Sequence, residues 1–466
     1  MTEEKEWYFT APWNPVSIRR GDALGLRAGA DYFADLLAPG LSNATSDARW
    51  ISLLSWCLQW SHVTWEKAGG GDLSRRDAQM ARYAWLRPLE LLWVARTLKF
   101  NPNATGQLRG RKSIDRWDDE KNEPLNFAMS PDQFRRYRQV GMYGAYRVIF
   151  RTVGGLTTGD GWTPDATALK LAKLVNDNLS REVRLNEEHF ERRTIWDNWS
   201  GGKEAEYWLK IGWENSLTEG GRFLPTPDNQ VSKLLPKEER RLLKPVLFGD
   251  DSIRRITAET LANAKGAKSH ADLCDALANS SLLAKKLAPH ALESLPAFSR
   301  FADAAMHAMR GLWNEMNQDG EQQSPTITKL AQSTELQSRL EGARAKGEAW
   351  LAPGRNYFNH GSVITHLAKA LTKEKNPADQ IRALAQHHHE YGGGRRWFRE
   401  QAGKMEPLVA DKGLAASDYR FRLRSLCCLA AQCGVAKMNV ALDAIEHNEI
   451  EDAASHEPDG QEDIDQ

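Results

Sequence analysis

The alternation of apolar and polar positions predicts helices along most of this chain. The first clear helical face follows the turn-rich segment 41–47, in which a Thr, Ser or Asp can cap the helix. With i, i+3, i+4, i+7 spacing, it consists of Trp50, Leu53, Leu54, Cys57, Leu58 and Ser61. A second helical run spans about 74–100, and Pro88 is expected to kink or split it.

Residues rich in Ala, Leu, Lys and Glu dominate the second half of the chain and predict a helical bundle. Its helices are expected at 256–265, 270–287, 300–317, 327–349, 361–373, 378–390 and 417–433, with Gly434 ending the last one. We therefore predict a mainly α, multi-helical fold. The predicted domains are a mostly helical N-terminal domain over 1–235, a C-terminal helical bundle over 246–445 and an acidic disordered tail over 446–466.

Residues 131–180 have a pattern that is compatible with a winged helix. Ser130 and Pro131 open a helix through about residue 140, an apolar run then ends at glycines, and Thr163-Pro164 opens another helix. A helix-turn-helix unit has this arrangement, and so has any small helical bundle. Both interpretations stay open from the sequence.

Composition and hydropathy favour an intracellular protein that does not enter a membrane. Of 466 residues, 41% are hydrophobic, and the mean hydropathy is −0.58. The longest uncharged apolar stretch, 426–431, is far shorter than the ~18 residues that a spanning helix needs. The acidic N-terminus is unlike a signal peptide, and five cysteines, an odd number, suit a reducing compartment. We expect a cytoplasmic protein without membrane partners.

The net charge of zero hides an asymmetry along the chain. There are 62 basic and 62 acidic residues, and 446–466 holds nine of the acids but no Lys or Arg. The body, 1–445, therefore carries 62 minus 53, or +9. The tail is either a solvated segment that aids solubility or a shield over a basic face that nucleic acid displaces.

Motifs for catalysis are absent from the sequence. It contains no GxxxxGK[ST], no GxGxxG after a strand, no GxSxG and no HExxH, so no catalytic residue, metal ligand or cofactor is assigned. Cys427, Cys428 and Cys433 diverge on a helix, which favours a role in the core over a metal site. Consecutive histidines at 387–389 also cannot converge on one ion, and we interpret them as cationic residues at a fraying helix end.

Basic residues interleaved with aromatic ones predict a surface that binds nucleic acid. The residues that we select are Arg395, Arg396, Trp397, Arg399, Arg420, Arg424, Arg135, Arg136 and Arg138. Gly392 to Gly394 are expected to turn the chain with positive φ, and Trp397 either stacks on a base or anchors the loop. Arg420 and Arg424 are expected on one helical face near the GGGRRWFRE segment. The alternative is that these arginines pair with the abundant acids.

Tryptophan is unusually frequent, with 17 residues, and this frequency is typical of interfaces as well as cores. Trp50, Trp56, Trp60 and Trp65 are too dense to be all core, so we expect some to line a partner surface unless a large bundle absorbs them.

Four phrases of the sequence have a familiar look. They are WNPVSIRRGDALGLR (13–27), DARWISLLSWCL (47–58), YGGGRRWFRE (391–400) and RFRLRSLCCLAAQCGV (420–435). In these phrases the chain resembles uncharacterised bacterial proteins encoded in multi-gene anti-phage defence operons. The resemblance implies partners such as helicases, nucleases or ATPases, and it implies no catalytic residue.

These observations predict a non-catalytic component of a bacterial defence or nucleic-acid-handling complex. Its expected ligand is nucleic acid, DNA in preference to RNA, and its expected partners are other subunits such as a helicase or nuclease. Two alternatives stay open. The first is a metal-dependent nuclease or hydrolase with an unrecognised site near 387–399, and the second is a protein-interaction scaffold with salt-bridged arginines.

Overall fold

The protein is described by a computed structural model. It describes residues 22–67, 70–73, 76–100, 108–111, 141–178, 234–317, 323–352, 362–393, 396–408 and 419–445. These residues are mainly helical, and they include one two-stranded antiparallel sheet, which confirms the predicted mainly α fold. No helix among them combines the length and apolar character needed to cross a bilayer.

The elements follow one another in this order. They are α1 (Arg27–Leu37), α2 (Arg49–Lys67), α3 (Arg76–Phe100), α4 (Met142–Thr152), α5 (Ala166–Asp177), α6 (Lys237–Leu247), α7 (Ile253–Asn263), α8 (His270–Ala278), α9 (Ser281–Ala284), α10 (Pro289–Glu315), α11 (Ile327–Leu330), α12 (Thr334–Leu351), α13 (Ser362–Lys373), α14 (Pro377–Tyr391), β1 (Phe398–Gln401), β2 (Lys404–Pro407) and α15 (Leu423–Gln432).

The chain forms two compact units, and both are discontinuous in sequence. Unit 1 comprises 1–15, 40–255 and 425–437, and unit 2 comprises 16–39, 256–424 and 438–466. The main division lies at 255, inside α7, whereas the sequence pattern places it between 235 and 246. Segments 16–39 and 425–437 do not differ in composition from their neighbours, so the sequence pattern does not show that they belong to the other unit.

Unit 1 is built around α2. This helix packs on α3, α4 and α5, and its predicted face is buried as expected. Burial also extends to its other sides, since Ile51 and Trp56 are inaccessible, as expected for a central helix. Of the four tryptophans predicted to be too dense for a core, Trp50, Trp56 and Trp65 are buried and Trp60 is half-buried. The bundle therefore absorbs most of them.

Unit 2 is centred on α10, which packs between α8 and α12, while α12 and α14 both contact α13. The hairpin formed by β1 and β2 lies against α14 through β1, with Phe398 paired to Pro407. Phe298 and Phe301 of α10 are fully buried in this core. The hairpin is an element that the sequence pattern does not predict.

Several predicted helix bounds are corrected by the structure. Residues 270–287 and 327–349 each divide into two helices, because Ser280 and Ser333 start new helices by accepting backbone N–H groups. Helix α3 continues through Pro88 without being split. Gly434 has φ +64°, with Val435 N–H bonded to the Ala430 carbonyl, and this confirms the predicted C-terminal stop.

Of the winged-helix candidate, the structure describes 141–178. Helix α4 is followed by a loop in which Thr157 bridges to Pro164, and Asp165 caps α5 in place of Thr163. Helix α5 packs mainly on α2, as in an ordinary helical bundle. The first predicted helix of the candidate lies outside the described residues.

Candidate functional site

The two basic segments predicted in unit 2 meet at Asp22. The Asp22 carbonyl accepts the N–H of Gly393 at 2.8 Å, and its Oδ1 accepts the hydroxyl of Tyr419 at 2.9 Å. The same carboxylate accepts the N–H groups of Leu26 and Arg27 at 2.9 and 3.1 Å. Burial and the charge of Asp22 raise the pKa of Tyr419, so the phenol stays protonated and donates this bond. Asp22 thus fixes the loop before α1 to both segments.

Two histidines at the end of α14 hold the same loop. His388 Nδ1 lies 2.7 Å from the Ala23 carbonyl, and its Nε2 accepts the N–H of Trp397 at 2.9 Å. This pairing requires a neutral ring with its proton on Nδ1. His387 Nε2 donates to the Leu24 carbonyl at 2.9 Å. Burial lowers the pKa of both rings, that of His387 to about 4, so the interpretation of this pair as cationic residues at a fraying helix end is wrong.

Metal ligation has no support among the residues that the structure describes, because no group of three or more His, Cys, Asp or Glu side chains there is arranged to hold an ion. The thiols of Cys427, Cys428 and Cys433 are buried in the core, as the helical spacing predicts. Burial raises the pKa of Cys427 and Cys433, so neither is a reactive thiolate at neutral pH.

Trp397 anchors the GGGRRWFRE segment. Its side chain is 4% exposed, and its carbonyl accepts the N–H of Leu408 at 2.8 Å. The indole lies 6.4 Å from the His388 ring. Of the two roles considered for Trp397, the structure favours the anchor, and its assignment as a residue that stacks on nucleic acid is corrected.

The arginines beside Trp397 are exposed but differ in their partners. Arg399 pairs with Glu406 across the hairpin, with 2.8 Å between Nε and Oε2. Arg396 is exposed and forms no ion pair with any described residue. Trp397, the next residue, donates its N–H to His388 Nε2, so the backbone that follows Arg396 is held by α14.

The second basic segment is a tight turn followed by a helix. Phe421 and Arg422 have φ +51° and +59°, and the N–H of Leu423 bonds to the Arg420 carbonyl at 3.0 Å. Helix α15 therefore begins only at Leu423, and the expectation that Arg420 and Arg424 share a helical face is wrong. The turn forms because the buried ring of Phe421 packs 5.4 Å from that of Phe33.

The charges of this turn are partly neutralised. Arg422 pairs with Asp35 and, at 2.9 Å, with Asp31 of α1. Arg420 is half-buried, has no ion pair with the described residues, and its Nη1 has no hydrogen-bond partner there. Arg424 is half-buried at the start of α15.

Gly392 differs from its prediction in backbone geometry. It follows α14 with φ −60° and ψ 130°, which any residue can adopt. Glycine is needed here for space, because a Cβ would lie 2.4 Å from the His388 carbonyl oxygen and 2.8 Å from that of Ala23. The remaining predicted residues, Arg395 and the set Arg135, Arg136 and Arg138, lie outside the described residues, as does Gly394.

The described residues define a mainly helical protein whose unit 2 carries the exposed Arg396 and Arg399 beside the buried Trp397. Comparisons with protein-family models, with curated proteins and with solved structures each found no match to this chain.

Proposed function

We propose that this chain is a non-catalytic, cytoplasmic component of a bacterial anti-phage defence or nucleic-acid-handling complex, and that it binds nucleic acid through arginines of unit 2. The observation that carries the proposal is that Arg396 is exposed, adjoins the buried Trp397 and has no ion-pair partner among the described residues. An exposed guanidinium that pairs with none of the described carboxylates is suited to a phosphate group.

The partners of the arginines distinguish this proposal from the scaffold alternative. In a pure scaffold every arginine would be neutralised by a neighbouring acid, as Arg399 and Arg422 are. Arg396 and Arg420 depart from that pattern within the described part of unit 2. We therefore assign phosphate contacts first to these two residues, and the ion-paired arginines contribute less.

No comparable observation supports the alternative function, a nuclease or hydrolase with a site near 387–399. His387 and His388 each hold a backbone carbonyl, so an acid–base role would break the contacts that fix the loop before α1. Because the imidazole rings of His387 and His388 are buried, a structural role is favoured over proton transfer.

The proposal is tested by titrating a labelled DNA duplex, a single strand and an RNA duplex with the purified chain at about 50 mM salt, where phosphate contacts bind most strongly. We expect binding that weakens as salt rises. Arg396→Gln should weaken it more than Arg399→Gln, which serves as the matched control because Arg399 lies three residues further on and is ion-paired with Glu406. No binding at about 50 mM salt would favour the scaffold.

A further inference from the structure

A second group of basic and aromatic side chains lies in unit 1, and the proposed function does not use it. It consists of Arg82, Tyr143, Arg147 and Trp162, and we call it the Arg82 cluster. The arginines and the tyrosine come from α3 and α4, and Trp162 comes from the loop before α5. All four residues are buried.

Arg82 is a fully buried cation whose hydrogen-bond acceptors among the described residues are neutral. Its Nη1 donates to Ser61 Oγ at 2.7 Å, and its Nη2 donates to the Leu58 carbonyl at 2.9 Å. Its Nε has no acceptor, and Arg82 forms no ion pair with any described carboxylate. Burial lowers its pKa to about 10, so the side chain is still charged at neutral pH.

A second guanidinium shares the same indole. The guanidinium carbons of Arg82 and Arg147 lie 5.9 and 5.1 Å from the ring centre of Trp162. The nearby carboxylate of Asp160 is used within its own loop, where it accepts the N–H of Trp162 at 2.6 Å and the N–H and hydroxyl of Thr163 at 2.9 and 2.6 Å. Two positive charges therefore lie close together without a carboxylate bonded to Arg82.

The cluster also has more hydrogen-bond donors than acceptors. Besides Arg82 Nε, the indole nitrogen of Trp162 and the hydroxyl of Tyr143 are buried without a geometrically acceptable partner. Arg147 lies beside the Tyr143 hydroxyl, but a guanidinium has no acceptor atom and cannot take the hydroxyl hydrogen. Buried donors without acceptors are rare in proteins, since each loses its bond to water.

We propose that the Arg82 cluster binds a small oxyanion of the phosphate class. Oxyanion oxygens supply the acceptors that these donors lack, and the negative charge offsets that of the Arg82 guanidinium. Complete burial of Arg82 favours a free ion over the backbone of a polynucleotide. Arg151 is exposed one turn after Arg147 on α4, and its stem packs against Gly161, where a Cβ would lie 2.6 Å from Arg151 Cγ. Positive charge thus extends from the cluster to the surface.

The test is thermal unfolding of the full chain in increasing sodium phosphate, with sodium chloride keeping the ionic strength constant. We expect a saturable rise in Tm. Tyr143→Phe removes one donor and little volume, and it should raise the apparent Kd for phosphate about tenfold, the effect of losing a bond to a charged group. Trp162→Phe should act in the same direction.

Tyr146→Phe is the matched control on α4. The Tyr146 hydroxyl bonds to the backbone of Asp47, so this variant should lower Tm but leave the apparent Kd for phosphate unchanged. Arg396→Gln should also leave the apparent Kd for phosphate unchanged. The test of this site is therefore independent of the test of the proposed function.

Three outcomes would overturn the inference. The first is the absence of a phosphate effect beyond that of chloride, which would mean that water satisfies the donors. The second is an equal phosphate response in the parent, Tyr143→Phe and Trp162→Phe, which would indicate an adventitious ion only. The third is stabilisation by a short DNA duplex but not by phosphate, which would replace the free ion with a nucleic-acid phosphate.

Discussion

Asp22 illustrates how one residue organises the candidate site. Its carboxylate accepts two backbone N–H groups and the Tyr419 hydroxyl, and a carboxylate in such surroundings is difficult to replace. The sequence around Asp22 resembles a turn, and nothing in it indicates that two distant segments bond to this residue. Such contacts link residues far apart in the chain, so residue patterns alone do not reveal them.

Replacing Asp22 should therefore destabilise the protein more than replacing its partner. Asp22→Ala removes three hydrogen bonds to a charged group and should lower the free energy of unfolding by about 3 kcal/mol or more. Tyr419→Phe removes one of them and should cost about 1 kcal/mol. Urea unfolding measures both values. Equal, small effects would show that Asp22 does not hold these segments.

The buried histidines predict a loss of stability in acid. His387 and His388 are neutral when folded but take up protons in the unfolded chain below about pH 6.5. Because the unfolded state then binds more protons, the free energy of unfolding falls as pH drops from about 6.5 toward 4. His387, with a folded pKa of about 4, contributes up to about 2 kcal/mol between pH 6.5 and 5, and His388 acts in the same direction.

Urea unfolding at pH 7.5 and 5 measures this loss. His387→Gln should reduce the difference between the two pH values, whereas His389→Gln, at an exposed position, should leave it unchanged. An identical pH dependence in His387→Gln and the parent would contradict the neutral, buried assignment.

At the scale of elements, apolar spacing predicts the helices well and the connections poorly. The α2 face is predicted correctly because its apolar spacing repeats over several turns. Trp397 lies among glycines and arginines that resemble an exposed loop, and the periodic pattern that predicts the helix holding His388 does not show that this ring bonds to Trp397. The hairpin is missed because its turn has Ala402 where Asn or Gly usually marks such a turn.

That turn provides a direct test of the hairpin. Ala402 has φ +51° and is exposed, so Ala402→Gly should relieve backbone strain and stabilise the chain by about 0.5–1 kcal/mol. Gly403, with φ +72°, is the matched control, and Gly403→Ala should destabilise by a similar amount. Thermal unfolding measures the Tm of both variants. Shifts of Tm with the same sign would contradict this turn geometry.

At the scale of the whole molecule, the chain divides into two units that are each discontinuous in sequence. Segments 16–39 and 425–437 each belong to the unit that holds the distant part of the chain. The positive charge of the GGGRRWFRE segment is what marks it as a candidate site in the sequence. The structure describes exposed Arg396 and Arg399 in it and explains the neighbouring glycine and tryptophan by packing.

The acidic tail predicts a second electrostatic effect. Changing the nine acids of 446–466 to their amides changes the net charge from zero to +9 and should strengthen DNA binding if the tail shields a basic face. The gain should shrink as salt shortens the Debye length from about 10 Å at 0.1 M to about 3 Å at 1 M. Fluorescence anisotropy measures the affinity for DNA. An affinity that is unchanged at low salt would leave the tail with a solubilising role.

The central claim is that unpaired arginines of unit 2 contact nucleic-acid phosphates, and the salt dependence of DNA binding tests it most directly. Anisotropy titrations over about 50–200 mM salt would compare the parent with Arg396→Gln/Arg420→Gln. The control is Arg344→Gln, because Arg344 is ion-paired with Glu341 and Glu348 on α12. We predict weaker binding and a slope shallower by about one unit per lost phosphate contact in the double variant only. A double variant with the affinity and slope of the parent would contradict the account.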